Sequence, residues 1–133
     1  MIKHINHIGI AVNKLDDHIP FYRDVLKLEF HGTEEVAEQK VRVAMFQAGD
    51  AKIELLEPLS DESPIAKFIE KKGEGIHHIA YETDNIEQEI ASVKGKGLEM
   101  IDSTPRTGAH DAKIAFIHPK SSGKVLTEIC QTK

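Results

Sequence analysis

Two histidines and two glutamates occupy matching places in the two halves of this 133-residue chain. His7 opens a tract rich in β-branched residues, and a similar tract opens at His78, 71 positions later. One glutamate follows each histidine in a late apolar stretch: Glu54 lies 47 residues after His7, and Glu128 lies 50 residues after His78. One imidazole and one carboxylate in each copy are what two half-sites need to build a single four-ligand metal site.

The ligand types restrict the metal. The chain has eight histidines, and a lone strand histidine is more often a buried structural residue than a ligand, so it is the equivalence of positions that favours a metal site. A carboxylate in an apolar strand is costly to bury unless it is paired, hydrogen-bonded or metal-bound. Two imidazoles and two carboxylates suit Co²⁺, Ni²⁺, Mn²⁺, Fe²⁺ or Zn²⁺, and the lack of thiolate ligands disfavours a closed structural zinc site. In an octahedral ion, two positions then stay open for two oxygens of one substrate.

Two residues next to the proposed ligands have other interpretations. Cys130 lies two residues after Glu128 and hence on the same face of a strand, and we interpret it as a small core residue. His77 precedes His78 and points to the opposite face, where it is expected to pack or hydrogen-bond.

Composition narrows the class of protein. A chain of this length with 40% apolar residues can build one compact core without disulfides, and a single cysteine cannot form an internal bridge. The net charge of −5, without a basic run interleaved with aromatic residues, disfavours nucleic acid as a partner. The longest stretch without charged residues is too short to cross a bilayer, and no secretory leader is recognisable, which predicts a soluble cytoplasmic protein.

Hydrophobic periodicity predicts the same order of elements in each copy: a strand, a helix, then further strands. Asp16 or Asp17 is expected to cap the first helix, but Pro20 argues that its regular part begins nearer Ile19. The fold class is therefore α+β, with two tandem modules at about 1–59 and 76–133 joined by a linker with a short helix. The predicted strands are Ile2 to Val12, Leu28 to Thr33, Val41 to Ala48, Lys52 to Pro58, Ile76 to Thr83, near Leu98, Ala112 to Ile117 and Lys124 to Gln131; the other predicted helices start at Pro64 and at Ile86.

These features resemble the vicinal-oxygen-chelate superfamily, which includes glyoxalase I, extradiol dioxygenases and methylmalonyl-CoA epimerases. The resemblance covers the whole chain and is most specific for the epimerase family. It rests on the motifs at 7–12, 53–58, 61–67, 73–80 and 118–128. The Ser-Pro-Ile-Ala segment from Ser63 and the His-Pro-Lys-Ser turn from His118 separate the chain from glyoxalases, which use the same ligand types.

The resemblance implies a fold, a cofactor and a reaction. The fold is two βαβββ modules forming one cupped mixed sheet around a divalent ion, with Co²⁺ first among the candidates, commonly in a homodimer. The reaction is interconversion of (2R)- and (2S)-methylmalonyl-CoA, in which the metal stabilises an enolate while one base removes the α-proton and an acid on the other side returns one. Glu128 is the base that the resemblance implies.

The chain departs from the epimerase pattern at the second base. Some members have a glutamate in the third strand, where this chain has Val43, and some have glutamine where this chain has Glu54. We therefore hypothesise that Glu54 is both a metal ligand and the opposing base. Glu38 is the fallback, at the start of a strand.

Contacts to the CoA part of the substrate are less specific in the sequence. The candidate substrate-binding residues are Gln39, Gly108, His110 and Lys120, of which Gly108 and His110 lie in a Pro- and Gly-containing loop. Two other functions stay open: a glyoxalase I-type lactoylglutathione lyase, and a metal-free ligand-sequestering protein of the same fold.

Overall fold

The computed structural model describes all residues, 1–133, and has the predicted α+β composition. No helix in it is both long and apolar enough to span a membrane. The strands are β1 (Ile2–Ala11), β2 (Glu29–Val36), β3 (Val41–Ala48), β4 (Ala51–Pro58), β5 (Gly75–Thr83), β6 (Arg106–Thr107), β7 (Lys113–Ile117) and β8 (Thr127–Gln131), and the helices are α1 (Leu15–Pro20), α2 (Pro64–Lys72) and α3 (Ile86–Gly95).

The chain forms two compact units. The N-terminal unit is His7–His77, and the C-terminal unit consists of Met1–Asn6 with His78–Lys133. In the N-terminal unit the strand order is β2-β3-β4-β1, and in the C-terminal unit it is β1-β5-β8-β7-β6. Each unit therefore has a parallel pair beside antiparallel strands, β1 with β4 in one and β5 with β8 in the other. The predicted module boundaries describe the repeat in the sequence and stay a prediction.

In the N-terminal unit, the sheet buries one face against α1. We call this the helix face, and its core contains Val12, Leu15, Ile19, Ala44, Phe46 and Leu55. Side chains alternate between faces along a strand, so the neighbours of Leu55 in the chain point the other way. We call that other side the ligand face, because it carries His7 and Glu54.

The first helix differs from its prediction. It begins at Leu15 rather than near Ile19, and the residue before it is Lys14, so neither Asp16 nor Asp17 is the cap. Pro20 is its last residue, and a π-helical turn follows over Phe21–Val25. A proline has no amide hydrogen to donate, so the regular helical hydrogen-bond pattern ends there, and the amide of Leu26 donates to the carbonyl of Phe21 five residues back.

In the C-terminal unit, α3 covers one face of the sheet. Its Ile86 and Ile90 pack with Met100, Ala115 and Ile129. The predicted strand near Leu98 is reduced to a single bridge between Met100 and Ile117. Gly97, which follows the end of α3, explains why this strand is short: it has a φ of +80° and turns the chain just before that segment.

A β-bulge interrupts β2. Phe30 pairs with Phe46, but the next aligned pair is Thr33 with Ala44, so His31 and Gly32 together face Met45. Gly32 has a φ of +92°, a conformation that other residues adopt only with strain. Each residue of β2 after the bulge therefore points to the sheet face opposite to the one that it would occupy in a regular strand.

Replacing Gly32 with alanine should therefore destabilise the fold by about 1–2 kcal/mol, the approximate cost of a Cβ at a positive φ. Gly95→Ala is the matched control, because Gly95 ends α3 at an ordinary φ and a Cβ there would meet nothing within 4 Å. It should be neutral or stabilise by up to about 0.5–1 kcal/mol. Urea unfolding measures both changes, and a wild-type midpoint for Gly32→Ala would show that the bulge does not need its glycine.

Candidate metal centre

The N-terminal unit contains one buried histidine–glutamate pair. His7 on β1 and Glu54 on β4 are 6% and 7% exposed, and Nδ1 of His7 lies 3.3 Å from Oε2 of Glu54. The parallel pairing of β1 with β4 sets Glu54 beside Gly9, two residues beyond His7 on the same face. Because a glycine stands there, no side chain separates the imidazole from the carboxylate.

The C-terminal unit contains a second pair of the same kind. His78 on β5 and Glu128 on β8 are 4% and 3% exposed, and Nε2 of His78 lies 3.3 Å from Oε1 of Glu128. Glu128 stands beside Ala80, again two residues beyond the histidine on the parallel neighbouring strand. The ring of Phe116 meets the His78 ring edge to face at 5.5 Å and restricts its orientation. The sequence repeat thus corresponds to two half-sites with the same strand register.

The donor set fits a divalent cation. Each pair offers one imidazole nitrogen and one carboxylate, the ligands that Co²⁺, Ni²⁺, Mn²⁺, Fe²⁺ and Zn²⁺ accept. Burying a carboxylate is costly without a compensating charge or hydrogen bonds, and both glutamates are more than nine-tenths buried. The predicted ligand residues therefore have the burial and the pairing that a metal site requires within each unit.

A third buried carboxylate, Glu82, secures the strand that carries Glu128. Glu82 lies on the same face of β5 as His78 and is 8% exposed. It accepts hydrogen bonds from Nδ2 of Asn6 and from the amide and hydroxyl of Thr132, each at 3.0 Å, and lies 3.6 Å from Sγ of Cys130. Sequence reasoning missed Glu82, although the period-two alternation from His78 is a signal that identifies it.

The predicted interpretations of Cys130 and His77 agree with the structure. Cys130 is 1% exposed and packs among Ala80, Ala112, Ile114 and Phe116. The ring of His77 packs edge to face against Phe68 at 4.9 Å.

The candidate substrate-binding residues lie in turns. Gln39 is half-buried in a 3₁₀ turn (Ala37–Gln39). Glu38 is exposed in the same turn, so the prediction that it begins a strand is wrong, since β3 begins at Val41. Lys120 is exposed in another such turn, with Nζ 2.7 Å from Oε2 of Glu99, and its hydrogen bond lowers the pKa of the Glu99 carboxyl. A CoA phosphate at Lys120 would compete with that ion pair.

The loop around His110 is tightly constrained. Gly108 is buried, and a Cβ at that position would lie 2.9 Å from Cγ2 of Ile114. His110 and Asp111 both adopt left-handed backbone conformations, with φ of +55° and +58°. Two consecutive non-glycine residues in this region are strained, and strained loops are typical of binding sites.

Comparison with known proteins shows the family to which this chain belongs. Residues 6–116 match the model of the glyoxalase/bleomycin resistance protein/dioxygenase superfamily. The chain belongs to this superfamily.

Several proteins similar to this chain are named as epimerases. An ethylmalonyl-CoA/methylmalonyl-CoA epimerase of Cereibacter sphaeroides is 38% identical over 133 residues, covering 98% of this chain and 99% of that protein. The mitochondrial methylmalonyl-CoA epimerase of Mus musculus is 38% identical over 128 residues, covering 96% of this chain and 72% of that protein.

A solved structure of an epimerase is also similar to this chain. Methylmalonyl-CoA epimerase in complex with methylmalonyl-CoA and NH₄⁺ matches with a TM-score of 0.95 and 37% identity, over 99% of this chain and 96% of that chain. The glyoxalase-like fold and the resemblance to methylmalonyl-CoA epimerases, both predicted from the sequence, are confirmed.

Replacing Glu82 with glutamine should destabilise the C-terminal unit by about 1–3 kcal/mol, because the NH₂ that replaces one carboxylate oxygen would face either the Thr132 donors or Nδ2 of Asn6. Glu87→Gln, at an exposed position on α3, is the control and should change stability by less than about 0.5 kcal/mol. Thermal or urea unfolding of the two variants measures the difference. Equal stabilities would show that Glu82 does not hold the end of β8.

Proposed function

We propose that this protein is a metal-dependent epimerase that interconverts (2R)- and (2S)-methylmalonyl-CoA. The observation that carries the proposal is the pair of buried histidine–glutamate half-sites, His7 with Glu54 and His78 with Glu128, in a chain whose relatives are methylmalonyl-CoA epimerases. Neither pair alone supplies the three or more protein ligands that catalytic metal sites usually have.

In this proposal His7, Glu54, His78 and Glu128 hold one divalent ion, with Co²⁺ as the first candidate. When bound, the ion supplies positive charge next to the thioester and carboxylate oxygens of the substrate, which stabilises an enolate by several kcal/mol. Burial of the four side chains excludes water and strengthens that interaction.

The protein's own groups move the proton. On one side of C2 a carboxylate takes the α-proton: the C–H bond breaks, an O–H bond forms on the carboxylate, and the C–H electron pair passes into the enolate. On the other side a carboxylic acid returns a proton to C2, and the electron pair forms the new C–H bond with inverted configuration. We assign Glu128 to one side.

Epimerisation needs a second acid–base group on the other side of C2. The sequence points to Glu54, which then has two roles. Val43, at the place where some epimerases have a glutamate, is 2% exposed and has no titratable group.

The proposal also includes the substrate contacts, the cellular location and the oligomeric state. Gln39, Gly108, His110 and Lys120 are proposed to bind the substrate, with Gly108 and His110 at the acyl group and Lys120 at a CoA phosphate. The protein is proposed to act as a cytoplasmic homodimer. Ethylmalonyl-CoA is a second acyl-CoA to test, because the name of one relative includes it.

A glyoxalase I-type lyase is the second candidate function. The superfamily to which the chain belongs includes glyoxalases, and two histidines with two glutamates are a ligand set that both reactions use. A third candidate, a ligand-sequestering protein without metal, is disfavoured by the same ligand set.

Incubating the metal-loaded protein with methylmalonyl-CoA in D₂O should give deuterium at C2 together with interconversion of the two epimers. NMR measures the deuterium incorporation, and chiral analysis measures the interconversion. A chelated, metal-free sample and a sample without protein are the controls, because the C2 proton also exchanges slowly by itself. Turnover of the glutathione hemithioacetal of methylglyoxal, without C2 exchange, would instead support the lyase. The absence of both activities would contradict an enzymatic role for the site.

A further inference from the structure

Three carboxylates lie on the ligand face of the N-terminal unit: Glu29, Glu34 and Glu54. The pairing registers set this face, because Glu34 is opposite Val43 on β3, and Val43 is opposite Leu56, two residues beyond Glu54. Glu54 is paired with His7. Glu29 has a side chain that is 77% exposed, and it lies 3.6 Å from His31. Glu34 is half-buried and lies outside the proposed ligand set.

The bulge is what brings Glu34 to this face. In a regular strand, Glu34 would point to the same sheet face as Phe30, which packs on the helix face. The extra residue at His31–Gly32 reverses that alternation, so Thr33 takes the helix-face position opposite Ala44 and Glu34 points to the ligand face. Bulges next to active sites commonly redirect one side chain in this way.

Glu34 also has a suitable position relative to Glu54. The two residues are separated by β3, which sets their strands about 10 Å apart. The residue of β3 opposite Glu34 is Val43, which cannot transfer protons. Some epimerases have a glutamate at the position of Val43. In this chain the carboxylate of Glu34 lies on the next strand, opposite that position.

We propose that Glu34 is the second catalytic base and acid, which works together with Glu128, and that Glu54 acts as a metal ligand only; this rests on the proposed epimerase function. In one direction Glu34 as carboxylate takes the C2 proton, and Glu128 as carboxylic acid returns one. In the reverse direction the roles exchange. Assigning proton transfer to Glu34 leaves Glu54 with one role, that of a metal ligand, and uses the half-buried carboxylate that the bulge turns to the ligand face.

The test uses the metal-loaded protein in D₂O with each epimer of methylmalonyl-CoA separately. Glu34→Gln should lower epimerisation by about 10²- to 10⁴-fold. It should still exchange the C2 proton of one epimer without inversion, because Glu128 continues to remove and return a proton on its own side. Metal content and the circular dichroism spectrum should match those of the wild type.

Glu35→Gln is the matched control, since Glu35 is the exposed neighbour that points to the opposite face of β2 and should keep full epimerisation. If the wild type epimerises and Glu34→Gln does so equally fast, or if Glu34→Gln loses exchange of both epimers, this assignment is wrong while the proposed function stands. A metal-retaining Glu54→Gln variant that exchanges one epimer only would assign the base to Glu54. A wild type without exchange or epimerisation would overturn the proposed function itself.

Discussion

The contact on which the site depends is that of a buried imidazole with a carboxylate on the parallel strand beside it. In both units the glutamate stands next to the residue two places beyond the histidine, and both contacts measure 3.3 Å. Parallel pairing fixes this register by backbone hydrogen bonds, and the small residues Gly9 and Ala80 leave the space between the two side chains open. Because each carboxylate is buried, its charge must be balanced locally, and that requirement is what makes a shared cation chemically reasonable.

The residues around these two equal contacts differ between the units. In the C-terminal unit the hydrogen bonds of Glu82 to Thr132 hold the end of β8, and Phe116 stands opposite Glu128 on the neighbouring strand. The corresponding face of the N-terminal unit has Glu34 next to Val43. A duplicated scaffold has thus kept its proposed ligands in register while the residues beside them have diverged. An epimerase needs this combination, because the two sides of one carbon require separate proton carriers around one site of charge stabilisation.

The sequence predicted those parts of the fold that depend on local patterning. Most strands, the start of α2 at Pro64 and the burial of the four proposed ligands follow from alternation, turn residues and the repeat. The start of α1 was wrong because the helix accommodates Pro20 at its end and continues as a π-helical turn, which no periodicity indicates. The face on which Glu34 lies could not be predicted for a similar reason. A bulge reverses the alternation from which that face is predicted, and the presence of the bulge depends on cross-strand pairing that a single strand does not reveal.

In the proposed function one ion is shared by both histidine–glutamate pairs, and the number of ions bound per chain tests this most directly. After loading with Co²⁺ and removal of excess metal, elemental analysis of the folded wild type should give one ion per chain. His7→Ala and His78→Ala should each lose tight binding, because each removes one ligand of the same ion. Two ions per chain in the wild type, with each variant keeping one, would contradict the claim and make the two pairs separate sites.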